Sequence, residues 1–309
     1  MEILRSYKNV PRRLKGATFA IGNFDGVHRG HQFILDVVRR HADRDKHLGG
    51  VMIFDPHPRV FFRRDQPIFR LTDLDQKLDL FEKFGMDLAV ILQFDLALSR
   101  MSAEQFAETV VVEGLGVNGV VIGYDFHFGA GRLGTPDVMK QLGNQYGFNV
   151  YVIEPVGSGE ETYSSSHIRD LLRQGDVRGA RDALGYWWRV KGIVEKGDGR
   201  GQFLGFPTAN IRLDRGQDLK NGIYAVNIYV DGRKYAGASY LGRRPTFGEG
   251  DLKLEAFVFE FDGDLYNKLI EIEFIEFLRE DQRFEDAQSL KVQMEADCQK
   301  ARGILAELA

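Results

Sequence analysis

Along the first half of the chain, short unbroken apolar runs alternate with stretches whose apolar residues recur about every three to four positions. The runs are Thr18 to Ile21, Val51 to Phe54, Leu88 to Leu92, Val120 to Ile122 and Val150 to Ile153. Such runs show no polar alternation, as expected of strands buried on both faces. Separated by amphipathic helices, they predict a parallel sheet with helices on both faces, a Rossmann-like α/β domain. Local chemistry marks the helix starts. Thr72 stands before DLDQKLDLFEKF, Ser102 and Gln105 are spaced as a capping box, and Pro136 follows Thr135 at a first helical position. Two short helical segments, SSHIRDLLRQG and DVRGARDALG, close this half.

Near Tyr186 to Arg189 the period changes. WWRVKGIVEK, GIYAVNIYV, KYAGASYLG, LKLEAFVFEF and KLIEIEFIEFL read as strands broken by Gly-rich and Asp-Gly turns, which predicts an antiparallel β-barrel or sandwich. The amphipathic tail from Phe284 to Leu308 predicts a C-terminal helix. A chain of 309 residues exceeds what one core usually supports, and the change of period sets the expected domains at 1–185 and 186–309. Trp187 and Trp188 lie at that change, either packing the junction or lining a site there.

Composition narrows the chemistry. A formal charge of −4 supplies no global basic field, so any affinity for phosphate must be local. The single cysteine, Cys298, excludes an intrachain disulfide or a CxxC metal knuckle and fits a reducing compartment. No stretch approaches the roughly 18 apolar residues of a membrane span, so a soluble cytoplasmic protein is expected. All seven histidines lie at or before His167, so a base in the second half would have to be a carboxylate.

The first candidate cluster is GNFDGVHRGH, between the first predicted strand and its helix. His28 and His31 share one face of the first helical turn, where free backbone N–H groups and the helix dipole favour an anion. Gly30 between them is expected to leave one side bare for a flat ring. A strand-to-helix turn that merely carries two surface histidines is the alternative, and the flanking Gly22, Asp25 and Gly26 weigh against it. FDPHP, from Phe54 to Pro58, hangs Asp55 and His57 over the same sheet edge. VIGYDFHFGAGRLG sets Asp125, Phe126 and His127 in an aromatic loop that suits a planar ring or simply packs. In YSSSHIRDLL, Ser164, Ser165 and Ser166 with Arg169 either cap a helix or hold a triphosphate.

In the second half, RGQFLGFPTANI places Pro207 where a central strand cannot continue, so Gly205 to Asn210 reads as a bend. If the piece is extended, the oxygens of Thr208 and Asn210 point the same way and could share a hard cation such as magnesium; a structural turn is the other reading. Alternation in LKLEAFVFEF groups Glu255 with Phe257, Phe259 and Phe261. Apolar surroundings raise a carboxylate's proton affinity, making Glu255 the candidate general base, unless it is a barrel-rim residue reaching water.

GNFDGVHRGH after a strand resembles the HxGH nucleotidylyltransferase superfamily. Together with FDPHP, the YDFHFG segment and SSSHIR, it is similar to the FMN adenylyltransferase module of bacterial FAD synthetases. GFPTAN, LGRRPTF at 241–247, the LEAF strand and DGDLY at 262–266 resemble the riboflavin kinase module. The resemblance, to the bifunctional riboflavin kinase/FMN adenylyltransferase family, spans nearly the whole chain. It implies a closed barrel, with riboflavin phosphorylated to FMN by the second module and FMN adenylylated to FAD by the first. It implies catalytic roles for His28, His31 and Glu255. ATP contacts would fall to Gly22, Phe24, Asp25, Gly30, Ser164, Ser165 and Arg169, and in the barrel to Gly205, Pro207, Thr208 and Asn210. Thr208 and Asn210 would also hold Mg2+, and Asp55, His57, Pro58, Asp125, Phe126 and Arg279 would lie toward the flavin.

Two departures concern the flavin side: Gln202 stands where arginine is common, and Tyr240 where asparagine is usual. The implied partners are riboflavin, FMN and ATP, with no nucleic acid and no membrane, and a homo-oligomer is left open. Alternatives are an adenylyltransferase for another phosphorylated acceptor with an accessory barrel, an RNA-binding synthetase-like protein, and a flavin-binding regulator without catalysis.

Overall fold

The structure is a computed structural model that describes residues 1–63, 65, 68–158, 161–196, 205–213, 216–243 and 252–308. It divides into two compact units, Met1–Pro67 with Thr72–Ser165, and Ile68–Leu71 with Ser166–Ala309.

In the first unit, β1 (Glu2–Leu4), β2 (Thr18–Ile21), β3 (Gly49–Asp55), β4 (Leu88–Gln93), β5 (Gly119–Gly123) and β6 (Asn149–Ile153) form a six-stranded sheet in the order β1-β4-β3-β2-β5-β6. Every pairing in it is parallel. The crossovers are α1 (Arg29–Asp45), α2 (Pro58–Phe62), α3 (Leu74–Lys83), α4 (Leu96–Arg100), α5 (Ala103–Phe106), which runs on as a π-helical segment to Gly114, and α6 (Pro136–Tyr146). One core, with Phe19, Met52, Val90 and Val120, covers one face of the sheet; the other, with Ala20, Leu35, Val51 and Ile91, covers the opposite face. The expected α/β domain is therefore observed, because fully apolar strands need cover on both sides.

The edge strand β1 escaped the hydrophobic pattern since it is short and mostly exposed. The capping box of Ser102 with Gln105 and the Thr135 cap before Pro136 are present. The start of α3 lies one residue later than expected: Asp73 is the cap, in a box with Gln76. Thr72 is thereby released for a different role.

After the two-stranded ribbon β7 (Gly157–Ser158) and β8 (Glu161–Thr162), α7 (Ser165–Gln174) and α8 (Val177–Leu184) lead into a closed antiparallel barrel. Its strands β9 (Arg189–Glu195), β10 (Ala209–Arg212), β11 (Gly222–Val230), β12 (Arg233–Arg243), β13 (Leu252–Val258) and β14 (Leu269–Arg279) follow the order β10-β13-β12-β11-β14-β9, with β9 pairing back onto β10. Tyr224, Val226, Ile228 and Phe274 are fully buried. The C-terminal helix α9 (Ala287–Glu307), capped by Asp286, lays Ala301 and Leu305 on Ala225, Ile275 and Leu278.

Trp187 and Trp188 both pack within the second unit. Trp188 is buried, stacks on Phe274 at 5.3 Å and donates its indole N–H to the Leu71 carbonyl at 2.9 Å. Trp187 packs on the apolar cluster under α9 and beneath the Arg181 guanidinium at 5.0 Å. Among the described residues, no helix is long and apolar enough to cross a membrane.

Candidate active sites

Strand β2 is the point from which successive crossovers run in opposite directions, since β3 and β4 lie to one side of it and β5 and β6 to the other. Such a switch point opens a crevice at the carboxyl ends of the strands. The Gly22–Val27 loop enters that crevice with Phe24, Gly26 and Val27 in the left-handed region, at φ of 49°, 81° and 36°. Its shape is held by hydrogen bonds. Thr72 donates its N–H (3.2 Å) and hydroxyl (3.4 Å) to the Asp25 carboxylate and accepts the Gly26 N–H at 2.9 Å. From the other side, Ser165 donates its hydroxyl to the Asp25 carbonyl at 2.8 Å. A buried loop with strained dihedrals persists only when its surroundings over-determine it, as they do here.

The loop delivers His28 as the N-cap of α1, with its Nδ1 accepting the His31 N–H at 3.4 Å. The two imidazoles stack at 3.7 Å and 23°, and Phe24 closes on His31 at 5.0 Å. The His31 pKa lies well below its ordinary value, first because burial penalises the cation and then because His28 and Lys77 repel it. His31 is therefore a neutral hydrogen-bonding group near pH 7. Its Nδ1 is buried without a partner among the described residues. Gly30 is not bare: a Cβ there would lie 3.2 Å from the His28 ring and 3.4 Å from the Tyr163 carbonyl, so glycine makes room for the catalytic candidate itself.

Of the other first-unit candidates, Gly22 sits beneath the Phe24 ring, which a Cβ would meet at 3.2 Å. Ser164 is half-buried immediately before α7. Asp55 ends β3, and His57 caps α2, accepting the Arg59 N–H at 3.1 Å ahead of Pro58. Asp125 is exposed, and its carbonyl lies 2.8 Å from His127 Nδ1. Phe126 stacks on Phe128 at 5.5 Å, and ring contacts continue from Phe128 through Phe106, Phe54 and Phe94 to Phe61 and Phe62. Phe62, at the end of this aromatic wall, is 67% exposed.

In the second unit, the bend expected at GFPTAN is present. Gly205 takes φ of 90°, and the strand begins only at Ala209. Glu255 then stands directly opposite Asn210 of β10 on one side and Tyr240 of β12 on the other. Directly opposed side chains on one sheet face are neighbours, so three separate segments converge. The Thr208 hydroxyl donates to Glu255 at 3.4 Å, and the Asn210 Oδ1 is a buried acceptor with no partner among the described residues. That orphaned oxygen beside a hydroxyl and a carboxylate fits a hard cation, which takes oxygen ligands.

The all-apolar setting expected for Glu255 is not found, because β13 ends at Val258 and Lys253, two residues back on the same face, ion-pairs with it. Tyr240 donates to Asp281 at 3.0 Å, and burial, with help from Asp281 and Glu255, pushes its pKa up to about 12. Gln202 and residues 244–247 of LGRRPTF lie outside the described residues.

Two candidate arginines are occupied in the fold. Arg169 belongs to the second unit and donates to the Phe69 carbonyl at 2.6 Å. Arg279 clamps the buried Asp297 of α9 through Nε (3.0 Å) and Nη2 (2.7 Å). Sequence reasoning missed Thr72, Lys77 and Tyr163, whose partners are remote in the chain, and the rings of Phe61, Phe62 and Phe94. The Phe61-Phe62 pair, two residues after FDPHP, was the one available signal.

Two polar clusters, each on its own fold, define a two-module transferase of phosphorus-containing groups. The FAD synthetase profile matches residues 10–167 and the riboflavin kinase profile residues 184–305. The chain belongs to the bifunctional riboflavin kinase/FMN adenylyltransferase family. A relative so described from Pseudomonas fluorescens is 36% identical over 100% of this chain and 99% of its own. One from Haemophilus influenzae is 34% identical over 98% of each. The fold is shared with a solved structure described as a macrolide-efflux protein from Streptococcus pneumoniae, at TM-score 0.85 and 24% identity over 96% of both chains.

Proposed function

We propose that this chain makes FAD from riboflavin in two ATP-dependent steps, with residues 186–309 as the kinase and 1–185 as the adenylyltransferase. In the first step Glu255 takes the proton of the ribityl 5′-hydroxyl, whose oxygen attacks the γ-phosphorus of ATP. The bond to the bridging oxygen breaks and ADP leaves with the electron pair. Thr208 and Asn210 would hold Mg2+, which supplies charge neutralisation on the phosphates. Gly205 and Pro207 shape the ATP-facing bend, and Arg279 supports the flavin side through its clamp on Asp297.

In the second step a phosphate oxygen of FMN attacks the α-phosphorus of ATP and pyrophosphate leaves. His28, His31 and the N–H groups at the start of α1 stabilise the charge that develops, and one good donor is worth ~3 to 4 kcal/mol in such a role. Gly22, Phe24, Asp25, Ser164 and Ser165 frame the triphosphate, with Arg169 added by the resemblance alone. Asp55, His57, Pro58, Asp125 and Phe126, beside the aromatic wall, face the flavin.

The reading rests above all on Glu255 being flanked by Asn210 and Tyr240 beside Thr208, which brings base and cation ligands together in the barrel. The test is to incubate the protein with riboflavin, ATP and magnesium and separate the flavins by chromatography. FMN followed by FAD is expected; a folded protein yielding neither would overturn it.

A further inference from the structure

One residue from each barrel strand falls into a single row across the barrel. Arg279 of β14 stands opposite Ile223 of β11, Ile223 opposite Tyr240 of β12, and Tyr240 opposite Glu255 of β13. Glu255 stands opposite Asn210 of β10, which in turn faces Glu195 of β9. Directly opposed residues share a face, and neighbouring strands lie about 4.8 Å apart. Tyr240, a departure from the family pattern, is therefore the rung beside the candidate base, on the side away from Asn210.

The phenol lies along its own strand over Gly242, where a Cβ would overlap the Tyr240 hydroxyl. Glycine at 242 makes room for it. The hydroxyl donates to Asp281 at 3.0 Å, an exposed carboxylate in the segment that follows β14. Three residues further on, Phe284 lies 5.8 Å from the Arg279 guanidinium, so this segment runs back along the row. With its proton directed at Asp281, the phenol oxygen can only accept, and the second oxygen of Asp281 is likewise an acceptor. Such a pair takes hydroxyl donors and, being anionic, turns phosphate away. A neutral polyol is the ligand it fits.

In-line transfer sets the attacking and leaving oxygens on opposite sides of the γ-phosphorus. Thr208 and Asn210 are the phosphate-side candidates on one side of Glu255, so the carbon chain of the attacking alcohol extends to the other side, over Tyr240. We propose that Tyr240, anchored by Asp281, is a specificity-determining residue of the kinase step, its hydroxyl accepting a hydrogen bond from the ribityl chain of riboflavin. The inference rests on the kinase reading of the barrel.

The test compares the full-length protein with Tyr240→Phe, which removes only the hydroxyl. Riboflavin and lumiflavin, a flavin without the ribityl hydroxyls, are titrated by flavin fluorescence in the presence of ADP and magnesium. Tyr240→Phe should weaken riboflavin binding on the order of tenfold, the worth of one hydrogen bond, and raise the KM for riboflavin in step. Lumiflavin affinity should stay within twofold of the parent, whereas a merely structural role would weaken both flavins alike. Should Tyr240→Phe fail to fold, Asp281→Ala removes the anchor at an exposed position and carries the same readouts. Riboflavin affinity within threefold of the parent, or equal losses for the two flavins, would overturn the proposal. A parent that makes no FMN would overturn the kinase reading instead, and the paired titrations would still decide whether Tyr240 meets the polyol.

Discussion

Asn210 and Glu255 stand directly opposite each other across the β10–β13 ladder, with the Thr208 hydroxyl 3.4 Å from the same carboxylate. A proton acceptor and two neutral oxygens are thus brought together, which suits the proposed deprotonation of an alcohol beside a phosphate. Glu255→Gln keeps the shape and removes the base. It should lower FMN formation at least ~100-fold while conversion of added FMN to FAD continues, measured by flavin chromatography. Loss of both activities in a folded protein would mean that the two sites are not independent.

His31 carries a pH signature. Its folded pKa lies below the unfolded value near 6.5, so between the two the unfolded chain binds more protons. The contribution is complete above 6.5 and declines as pH falls through that window, by at most ~1.4 kcal/mol per pH unit. Tm followed from pH 7 downward should fall less steeply in His31→Gln than in the parent. Identical slopes would show that His31 is not held neutral by the fold.

Gly30→Ala separates helix stability from site geometry. Alanine favours a helix by up to ~1 kcal/mol over glycine, whereas its Cβ would press on the His28 ring at 3.2 Å. The two effects nearly offset, so Tm should change little while adenylylation falls roughly tenfold through the displaced imidazole. A variant with full FAD output would mean that the His28 position is not critical.

Arg279 and Asp297 form a clamp whose side chains are 20% and 9% exposed. Removing either partner strands a largely buried charge, so Arg279→Met and Asp297→Ala should each destabilise by about 3 kcal/mol in urea unfolding. The double variant Arg279→Met/Asp297→Leu should be less costly than the sum of the singles. Additive losses would deny the clamp.

The alternation of apolar runs and helical periods was sufficient to place the parallel sheet, an antiparallel barrel or sandwich and the final helix, because burial on two faces, on one face, or along a stripe each leaves its own spacing. The loop at Gly22–Val27 and the bend at Gly205–Asn210 were visible for a similar reason: glycine and proline mark backbone shapes that ordinary residues resist. Thr72 does a different task from the one its position suggests, since a threonine before a helix reads as its cap. Asp73 took that position and left Thr72 to hold Asp25.

By itself the sequence determined the element types, their order, and the residue kinds that can do phosphate chemistry. Only the tertiary structure decided that His31 is neutral, that Gly30 makes room for His28, that Arg279 is bound to Asp297, and that Lys77 reaches the Asn23 carbonyl. These are properties of burial and of contacts between residues far apart in the chain. Local spacing encodes which face a residue occupies, but not which remote charge will meet it there.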